Sequence, residues 1–97
     1  MEMISKEKGR EKIEEFALNL IMKKTNQFKL NDIMLEMRAL CYYDIETSLI
    51  EEIVYNAIDF LMLEGYVDIC DSFTLMVDPV KQIEYQETGE IVTVKSV

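Results

Sequence analysis

The spacing of apolar and polar positions predicts three helices in the first two thirds of the chain. Apolar residues that recur three and four positions apart favour helices over residues 6–25, 31–41 and 48–64. Residues 28–30 form a short extended segment between the first two helices. Gly65 follows the third pattern, at the position where a glycine commonly ends a helix. The chain up to Gly65 is therefore expected to be mainly helical.

Residue types at the predicted helix starts refine these boundaries. Asn31 is a favourable N-cap for the second helix, and Leu30 and Leu35 stand in the positions of a hydrophobic staple. Ser48, with Glu51 three residues later, has the spacing of a capping box. We therefore expect the second helix to start at Asn31 and the third at Ser48.

The third helix has the widest apolar face and is expected to form the centre of the core. Its other face mixes acidic side chains with Tyr55 and Met62. The residues of this helix that are expected to be mostly buried are Ile53, Val54, Ala57, Ile58 and Leu61. The first helix adds the apolar stripe Ile13, Phe16, Ala17, Leu20 and Ile21.

After Gly65 the apolar residues alternate with polar ones, a period that is typical of strands. Residues 67–69 are expected to pair with residues 73–77 across a tight turn at Asp71 and Ser72. The sequence thus predicts a hairpin directly behind the third helix.

A second hairpin is predicted for the tail, residues 80–97. A two-residue turn at Thr88 and Gly89 would set apolar residues of its two strands opposite each other. The residues that this register places on one apolar face are Ile83, Tyr85, Val92 and Val94.

Leftover apolar residues raise the question of a second subunit. A lone hairpin is not stable in water, so its apolar face must pack on the domain or on a second copy. Leu18 and Met22 lie off the stripe of the first helix, either as scattered surface residues or as a subunit contact. We expect a homodimer in which Leu18, Met22 and the apolar face of the tail hairpin form the contact.

Helix, short strand, helix, turn, helix and hairpin is an order that resembles the winged helix-turn-helix superfamily. Residues 28–33 (FKLNDI) are similar to that family's first strand running into its second helix, and residues 61–67 (LMLEGYV) to its exit into the wing. The resemblance covers residues 10–78 and places the third helix where the family keeps its DNA-reading helix. From its length, the chain of residues 1–97 is expected to be a single α+β domain, in which residues 80–97 lie outside the resemblance as an appended hairpin.

Catalysis finds no support in the residue types. The chain contains no histidine, which removes the usual general base and the usual zinc ligand. Its three glycines are isolated and form no phosphate loop. The acid pairs Glu14–Glu15 and Glu51–Glu52 are adjacent in sequence and splay apart on a helix. We expect no enzyme activity, no cofactor and no metal.

The cysteines and the apolar runs bear on location. Cys41 and Cys70 lack a CxxC spacing and are expected to be reduced thiols, with a bridge within or between subunits as the alternative. No apolar run approaches the ~20 residues of a membrane span, and no signal segment follows the first charges. We therefore expect a cytoplasmic protein without membrane contact.

The distribution of charge argues against DNA, the usual ligand of the superfamily. The net charge is −9, and residues 39–80 contain nine acidic residues and neither Lys nor Arg. This segment includes the helix and wing that would approach phosphates, and each phosphate contact requires a cation. On the outer face of the third helix only Asn56 could read bases. Binding to duplex DNA is expected to be weak or absent.

Two functions of different classes therefore stay open. The first is a non-enzymatic regulatory or protein-interaction module whose acidic surface binds or inhibits a basic, nucleic-acid-binding partner. The second is a DNA-binding transcriptional regulator of bacterial, phage or archaeal-virus type with an unusual contact surface. For the first, the predicted partner-binding residues on the third helix and the wing are Glu51, Glu52, Tyr55, Asp59, Met62, Asp68 and Asp71.

Overall fold

Four helices and three strands lie within residues 9–41 and 45–90, which the computed structural model describes. The elements in chain order are α1 (Arg10–Met22), β1 (Phe28–Lys29), α2 (Leu30–Leu40), α3 (Thr47–Leu63), β2 (Val67–Ile69), β3 (Thr74–Val77) and α4 (Pro79–Thr88). The fold class is α+β, as expected. None of the helices in these two ranges is both long and apolar enough to cross a membrane.

The three strands form one antiparallel sheet in the order β1-β3-β2. Val67 pairs with Val77 and Ile69 with Leu75, so the hairpin predicted behind the third helix is confirmed. Its turn takes three residues, 71–73, because the Cys70 N–H donates to the Thr74 carbonyl at 2.9 Å. On the other side of β3, the short strand β1 completes the sheet.

The core lies where α3 packs against α1 and α2 and against the inner face of the sheet. The five α3 residues predicted to be buried, Ile53, Val54, Ala57, Ile58 and Leu61, are all buried. They join a single cluster with Ile13, Ala17 and Ile21 of α1 and Ile33 and Met37 of α2. The helical periods of these three segments therefore identified the central helix and the faces that it contacts.

Gly65 ends α3 by adopting a backbone conformation that other residues rarely adopt. Gly65 has a φ of 79°, in the left-handed region where a side chain is strained. The Tyr66 N–H donates to the Leu61 carbonyl at 2.8 Å, and the Gly65 N–H to the Met62 carbonyl at 3.2 Å. This is a Schellman motif, and both Tyr66 and Leu61 are completely buried beside it. The predicted helix end is confirmed.

The predicted start of α2 is wrong. The helix begins at Leu30, with Lys29 as the N-cap residue, so Asn31 lies inside the first turn. The Asp32 carboxylate accepts a hydrogen bond from the Lys29 N–H at 3.2 Å and so supplies the capping interaction. The staple between Leu30 and Leu35 is also wrong, because Leu35 is exposed.

The predicted start of α3 is wrong by one residue. The capping box predicted for Ser48 and Glu51 is also wrong. Thr47 is the first helical residue, and the N-cap residue Glu46 makes no side-chain cap hydrogen bond. Ser48 therefore lies within the first turn, where its hydroxyl cannot act as an N-cap.

The tail differs most from the expectation, because residues 79–88 form a helix and not a strand. The Asp78 carboxylate caps α4 by accepting from the N–H groups of Val80 at 3.0 Å and Lys81 at 3.1 Å. Pro79 occupies the first helical position, where its missing N–H costs nothing, and Gly89 ends the helix with a φ of 71°. These local signals outweigh the alternation of apolar residues that favoured a hairpin.

The residues of the predicted tail hairpin are placed accordingly. Ile83 and Tyr85 lie on α4, so the strand register proposed for them is wrong. Their predicted partners, Val92 and Val94, lie outside the described residues.

Candidate functional site

A groove of about 430 Å³ opens between the start of α2, the outer face of α3 and the β2–β3 hairpin. We call it the α3–hairpin groove. Its apolar lining consists of Leu30, Met34, Tyr55, Ile58, Ile69, Phe73 and Leu75. Its charged residues are Lys29, Asp59 and Asp71. The groove therefore combines a largely apolar floor with an edge that carries two acids and one cation.

Three large apolar side chains of this groove are exposed to solvent. The exposed fraction is 79% for Phe73, 60% for Ile69 and 51% for Tyr55. Exposed apolar residues are ordinary when scattered, but a contiguous group rimmed by polar residues is typical of a binding surface. These three residues come from a helix, a strand and a turn and line the same groove.

The exposure of Ile69 follows from the register of the sheet. Phe28, Leu75 and Ile69 are paired across the three strands, so their side chains share one face of the sheet. Phe28 and Leu75 are buried, whereas Ile69 lies on the edge strand β2 and extends this row out of the core. The groove is thus an outward continuation of the core's own apolar face.

Asp71 is held in the hairpin turn by its neighbours. Its Oδ1 accepts a hydrogen bond from the Phe73 N–H at 2.9 Å. This bond is the main cause that lowers the pKa of Asp71, and hydrogen bonds with Thr74 and the charge of Lys29 act in the same direction. Asp71 therefore carries a negative charge at neutral pH, and the same bond fixes the backbone that presents the Phe73 ring.

Helical spacing places Asp59 beside Tyr55. The two residues are four positions apart on α3, so they lie on the same helical stripe. Both are exposed and both line the groove. An aromatic ring and a carboxylate thus lie next to each other on the helical wall, as Phe73 and Asp71 do on the hairpin wall.

Three of the seven predicted partner-binding residues, Tyr55, Asp59 and Asp71, therefore line a single groove. Glu51 lies one turn before Tyr55 on the same stripe of α3 and is exposed, but it does not line the groove. It extends the acidic surface beyond the end of the groove.

The structure places the other three predicted residues elsewhere. Glu52 accepts a hydrogen bond from Arg10 at 3.0 Å and so belongs to the contact of α3 with α1. Met62 is partly buried against the core. Asp68 alternates with Ile69 along β2 and pairs with Met76, so its side chain lies on the opposite face of the sheet.

The contribution of Phe73 and Ile69 to the groove was not predicted. Residues 67–69 were expected to pair with residues 73–77, which is correct for Ile69, but this pairing does not show that Ile69 lies on an edge strand. Phe73 belongs to a three-residue turn and not to β3. The signal in the sequence was a phenylalanine directly behind the turn residues Asp71 and Ser72, where a solvated turn would carry a polar side chain.

The predicted subunit contacts are only partly surface residues. Met22 is completely buried, so the premise that it lies off the core of α1 is wrong. Leu18 is partly buried and lines a surface depression with Phe60 and Tyr85 of the same chain. Ile83 is exposed on α4. The homodimer stays a prediction, and its contact cannot be the hairpin face that was expected.

Most of the cations in the described part of the chain form ion pairs with carboxylates. Arg10 pairs with Glu14 at 3.4 Å as well as with Glu52, and these contacts raise its pKa, chiefly through Glu52. Further pairs join Lys12 to Glu15, Lys24 to Glu36 and Lys81 to Glu84. Four of the seven Lys and Arg residues in ranges 9–41 and 45–90 are therefore within reach of an acid.

Cys41 is buried and Cys70 is exposed. Across ranges 9–41 and 45–90, no three Cys, Asp or Glu side chains are grouped so that they could hold a metal ion. Comparison of the sequence with protein-family models and curated proteins, and with solved structures, finds no match.

Proposed function

We propose that this chain is a non-enzymatic protein-interaction module on a winged-helix-like frame, and that a basic partner protein docks in its α3–hairpin groove. The observation that carries the proposal is the composition of this groove. Exposed Tyr55, Ile69 and Phe73 share it with the acids Asp59 and Asp71. Aromatic and flexible apolar side chains at the centre, with charge at the rim, are typical of a protein-binding surface.

The order of the elements supports the winged-helix-like frame. Strand β1 lies between α1 and α2 and pairs with β3, and the β2–β3 hairpin follows α3. In this proposal α3 corresponds to the superfamily's DNA-reading helix and the hairpin to its wing. The groove lies between that helix and that wing, on the surface that the frame commonly uses for recognition.

The charge of this surface favours a basic partner. Residues 39–80 contain no Lys or Arg, so Asp59 and Asp71 have no cation on α3 or on the hairpin. Among the described residues, Lys29 is the one cation that lines the groove. A basic partner is attracted to these acids and neutralises their charge, whereas an acidic partner would be repelled by them.

The groove carries no arrangement that favours catalysis. A general acid or base at neutral pH needs a carboxylate whose pKa is raised toward 7. The pKa of Asp71 is instead lowered by its hydrogen bond from Phe73. The Asp71 carboxylate therefore suits binding by charge better than proton transfer.

The alternative function, DNA-binding regulation, is weakened by the ion pairs of α1. Four cations near the start of the first helix, Lys6, Lys8, Arg10 and Lys12, could contact a phosphate backbone. Lys6 and Lys8 lie outside the described residues, and Arg10 and Lys12 both pair with glutamates. A phosphate would have to compete with these carboxylates for each cation.

A comparison of two matched variants tests the proposed function. The groove variant combines Asp59→Lys with Phe73→Ser, one exposed acid and one exposed aromatic. The control combines Asp68→Lys with Leu63→Ser, again one exposed acid and one exposed apolar residue, both outside the groove. All four positions are solvent-exposed, so both variants should fold.

Tagged wild-type chain and both variants are incubated with native-cell lysate, and bound proteins are identified by mass spectrometry. We expect wild type and control to retain a shared basic protein that the groove variant loses. The same difference must then appear with the purified partner, with affinity falling as salt rises. If all three chains retain the same proteins, or none retains any, the proposal is wrong.

A further inference from the structure

We infer that the α3–hairpin groove binds an arginine side chain of the partner, between its two aromatic rings and its two carboxylates. This inference rests on the proposed function and specifies the chemistry that the groove recognises. It is carried by the pairing of one ring with one acid on each wall. Tyr55 and Asp59 lie on the α3 wall, and Phe73 and Asp71 lie on the hairpin wall.

A purely apolar partner fits this groove poorly. Covering Tyr55, Ile69 and Phe73 with apolar side chains would also remove water from the carboxylates of Asp59 and Asp71. A carboxylate that loses water without gaining a partner is strongly unfavourable. The occupant must therefore bring a cation together with apolar surface.

A guanidinium group meets both demands better than an ammonium group. It is planar, stacks on an aromatic face and donates hydrogen bonds to carboxylates in a fixed fork. Its aliphatic stem can lie along apolar residues such as Met34 and Ile69. Lysine offers a compact, strongly hydrated charge and gains less from the rings.

The hairpin wall is preorganised for this contact. The Asp71 carboxylate already accepts the Phe73 N–H at 2.9 Å, which orients it within the turn. The hydrogen bonds that lower the pKa of Asp71 keep it ionised at neutral pH. Little conformational freedom has to be lost at this wall when a cation binds.

Synthetic peptides test the inference on the full chain. The probe is a blocked peptide of Gly and Ser that flanks a central Leu-Arg-Leu, and binding is followed by two-dimensional amide NMR. We expect saturable shifts of the Tyr55, Asp59, Asp71 and Phe73 signals. The same peptide with citrulline, a neutral arginine analogue, should bind about 10-fold more weakly, and the lysine peptide should fall between them.

Isosteric variants provide the controls. Asp59→Asn and Asp71→Asn remove one charge each but keep an oxygen acceptor, so the turn at Asp71 can persist. Each should weaken the arginine peptide several-fold, whereas Asp68→Asn, on the opposite sheet face, should leave its affinity unchanged.

The outcomes separate this inference from the proposed function. If the citrulline peptide binds in the groove as tightly as the arginine peptide, or if no peptide shifts the groove signals, the inference about arginine is wrong. The lysate comparison between the groove variant and its control is independent of either result. Loss of a partner there would leave the groove as a protein-binding site that recognises something other than arginine.

Discussion

At the residue scale, two leucines at the end of α3 show that residues of the same hydrophobicity can differ completely in burial. Leu61 is completely buried, whereas Leu63, two positions later, is 85% exposed. Replacing Leu61 by Ala should lower the free energy of unfolding by about 3 kcal/mol, because it removes buried methyl groups and leaves a cavity. Leu63→Ala should change it by less than about 0.5 kcal/mol. Urea denaturation followed by circular dichroism measures both.

Equal losses for the two variants would contradict this assignment of the core. The comparison is controlled, since both residues belong to one helix and both changes delete the same atoms. Leu61 also stands three residues from the C-cap, where it packs beside Tyr66 in the Schellman motif. Its replacement is therefore expected to loosen the exit from α3 as well as the core.

Burial could be predicted at some residues and not at others for a physical reason. The helical period identifies residues that share a face, and so it placed Ile53, Val54 and Leu61 correctly. It cannot show what covers a helix end. Met22 is completely buried at the last turn of α1, where its carbonyl accepts a hydrogen bond from the Gln82 amide of α4, a contact that only the tertiary structure reveals.

At the scale of elements, α4 is attached to the body by polar contacts more than by apolar burial. No residue of α4 is fully buried. The Gln82 amide Nε2 donates to the Met22 carbonyl at 2.9 Å and to the Lys24 carbonyl at 2.7 Å. The Met22 carbonyl lies at the C-terminal end of α1, where a helix leaves its last carbonyls without internal partners, and the Lys24 carbonyl lies two residues beyond it. Gln82 thus caps α1 from another helix.

Gln82→Ala should release α4 from the body without unfolding the domain. We expect faster amide hydrogen exchange in α4 and in the last turn of α1, and a loss of about 1 kcal/mol in the free energy of unfolding for the lost hydrogen bonds. Gln86→Ala, at an exposed position of the same helix, is the control. Unchanged exchange in Gln82→Ala, or equal changes in both variants, would show that other contacts hold α4.

Tyr85 makes the docking of α4 sensitive to high pH. Its half-buried ring lies near Leu18 and Phe60, and burial, followed by the charge of Glu15, raises its pKa above the ordinary 10.0. The neutral phenol is therefore the form that the folded state favours. The stability that depends on it is fully present below pH 10.0 and is lost as the pH rises through the folded-state pKa.

Tyrosine absorbance provides the measurement. The difference between titrations of wild type and Tyr85→Phe should give a Tyr85 midpoint above 10.0, and Glu15→Gln should move it toward 10.0. Between pH 10.0 and that midpoint the wild type should lose thermal stability faster than Tyr85→Phe. A Tyr85 midpoint at or below 10.0 would contradict the burial of this ring.

The helix in the tail has clear start and stop signals in the sequence. Asp78 followed by Pro79, with Gly89 eleven residues after Asp78, is a complete set of helix start and stop signals in the sequence. The alternation of Ile83 and Tyr85 with polar residues spans too few positions to outweigh it. This helix was predictable from the sequence, whereas the capping of α1 by Gln82 was not, because it joins residues 60 positions apart.

At the scale of the whole molecule, the sequence predicts an acidic surface, and the structure shows which of its acids line the α3–hairpin groove. Charge counting identified the region 39–80, and helical spacing brought Tyr55 and Asp59 together. Three acids of that region lie outside the groove, for reasons that the period of the sequence does not show. Glu52 pairs with Arg10, Asp68 lies on the opposite face of the sheet, and Glu51 lies beyond the end of the groove. The groove itself depends on a three-residue turn that presents Phe73.

The same division of charge predicts how the chain behaves toward duplex DNA. The surface formed by α3 and the hairpin carries acids without Lys or Arg, and the cations of α1 are paired with glutamates. Because affinity for DNA comes largely from neutralised phosphates, we expect weak or no binding at physiological salt. Fluorescence anisotropy with a labelled duplex measures it, and selection from a random duplex pool should enrich no sequence.

A variant with reversed charge tests whether this surface is the reason. Glu51→Lys combined with Asp59→Lys places two cations on the exposed stripe of α3, and it should increase non-specific DNA binding in a strongly salt-dependent way. Glu87→Lys combined with Glu90→Lys, at exposed positions at the end of α4, adds the same charge elsewhere and should increase it less. Tight, sequence-selective binding by the wild-type chain, with affinity that falls steeply as salt rises, would mean that DNA contacts another face. The acids of α3 would then not be the surface that decides what this protein binds.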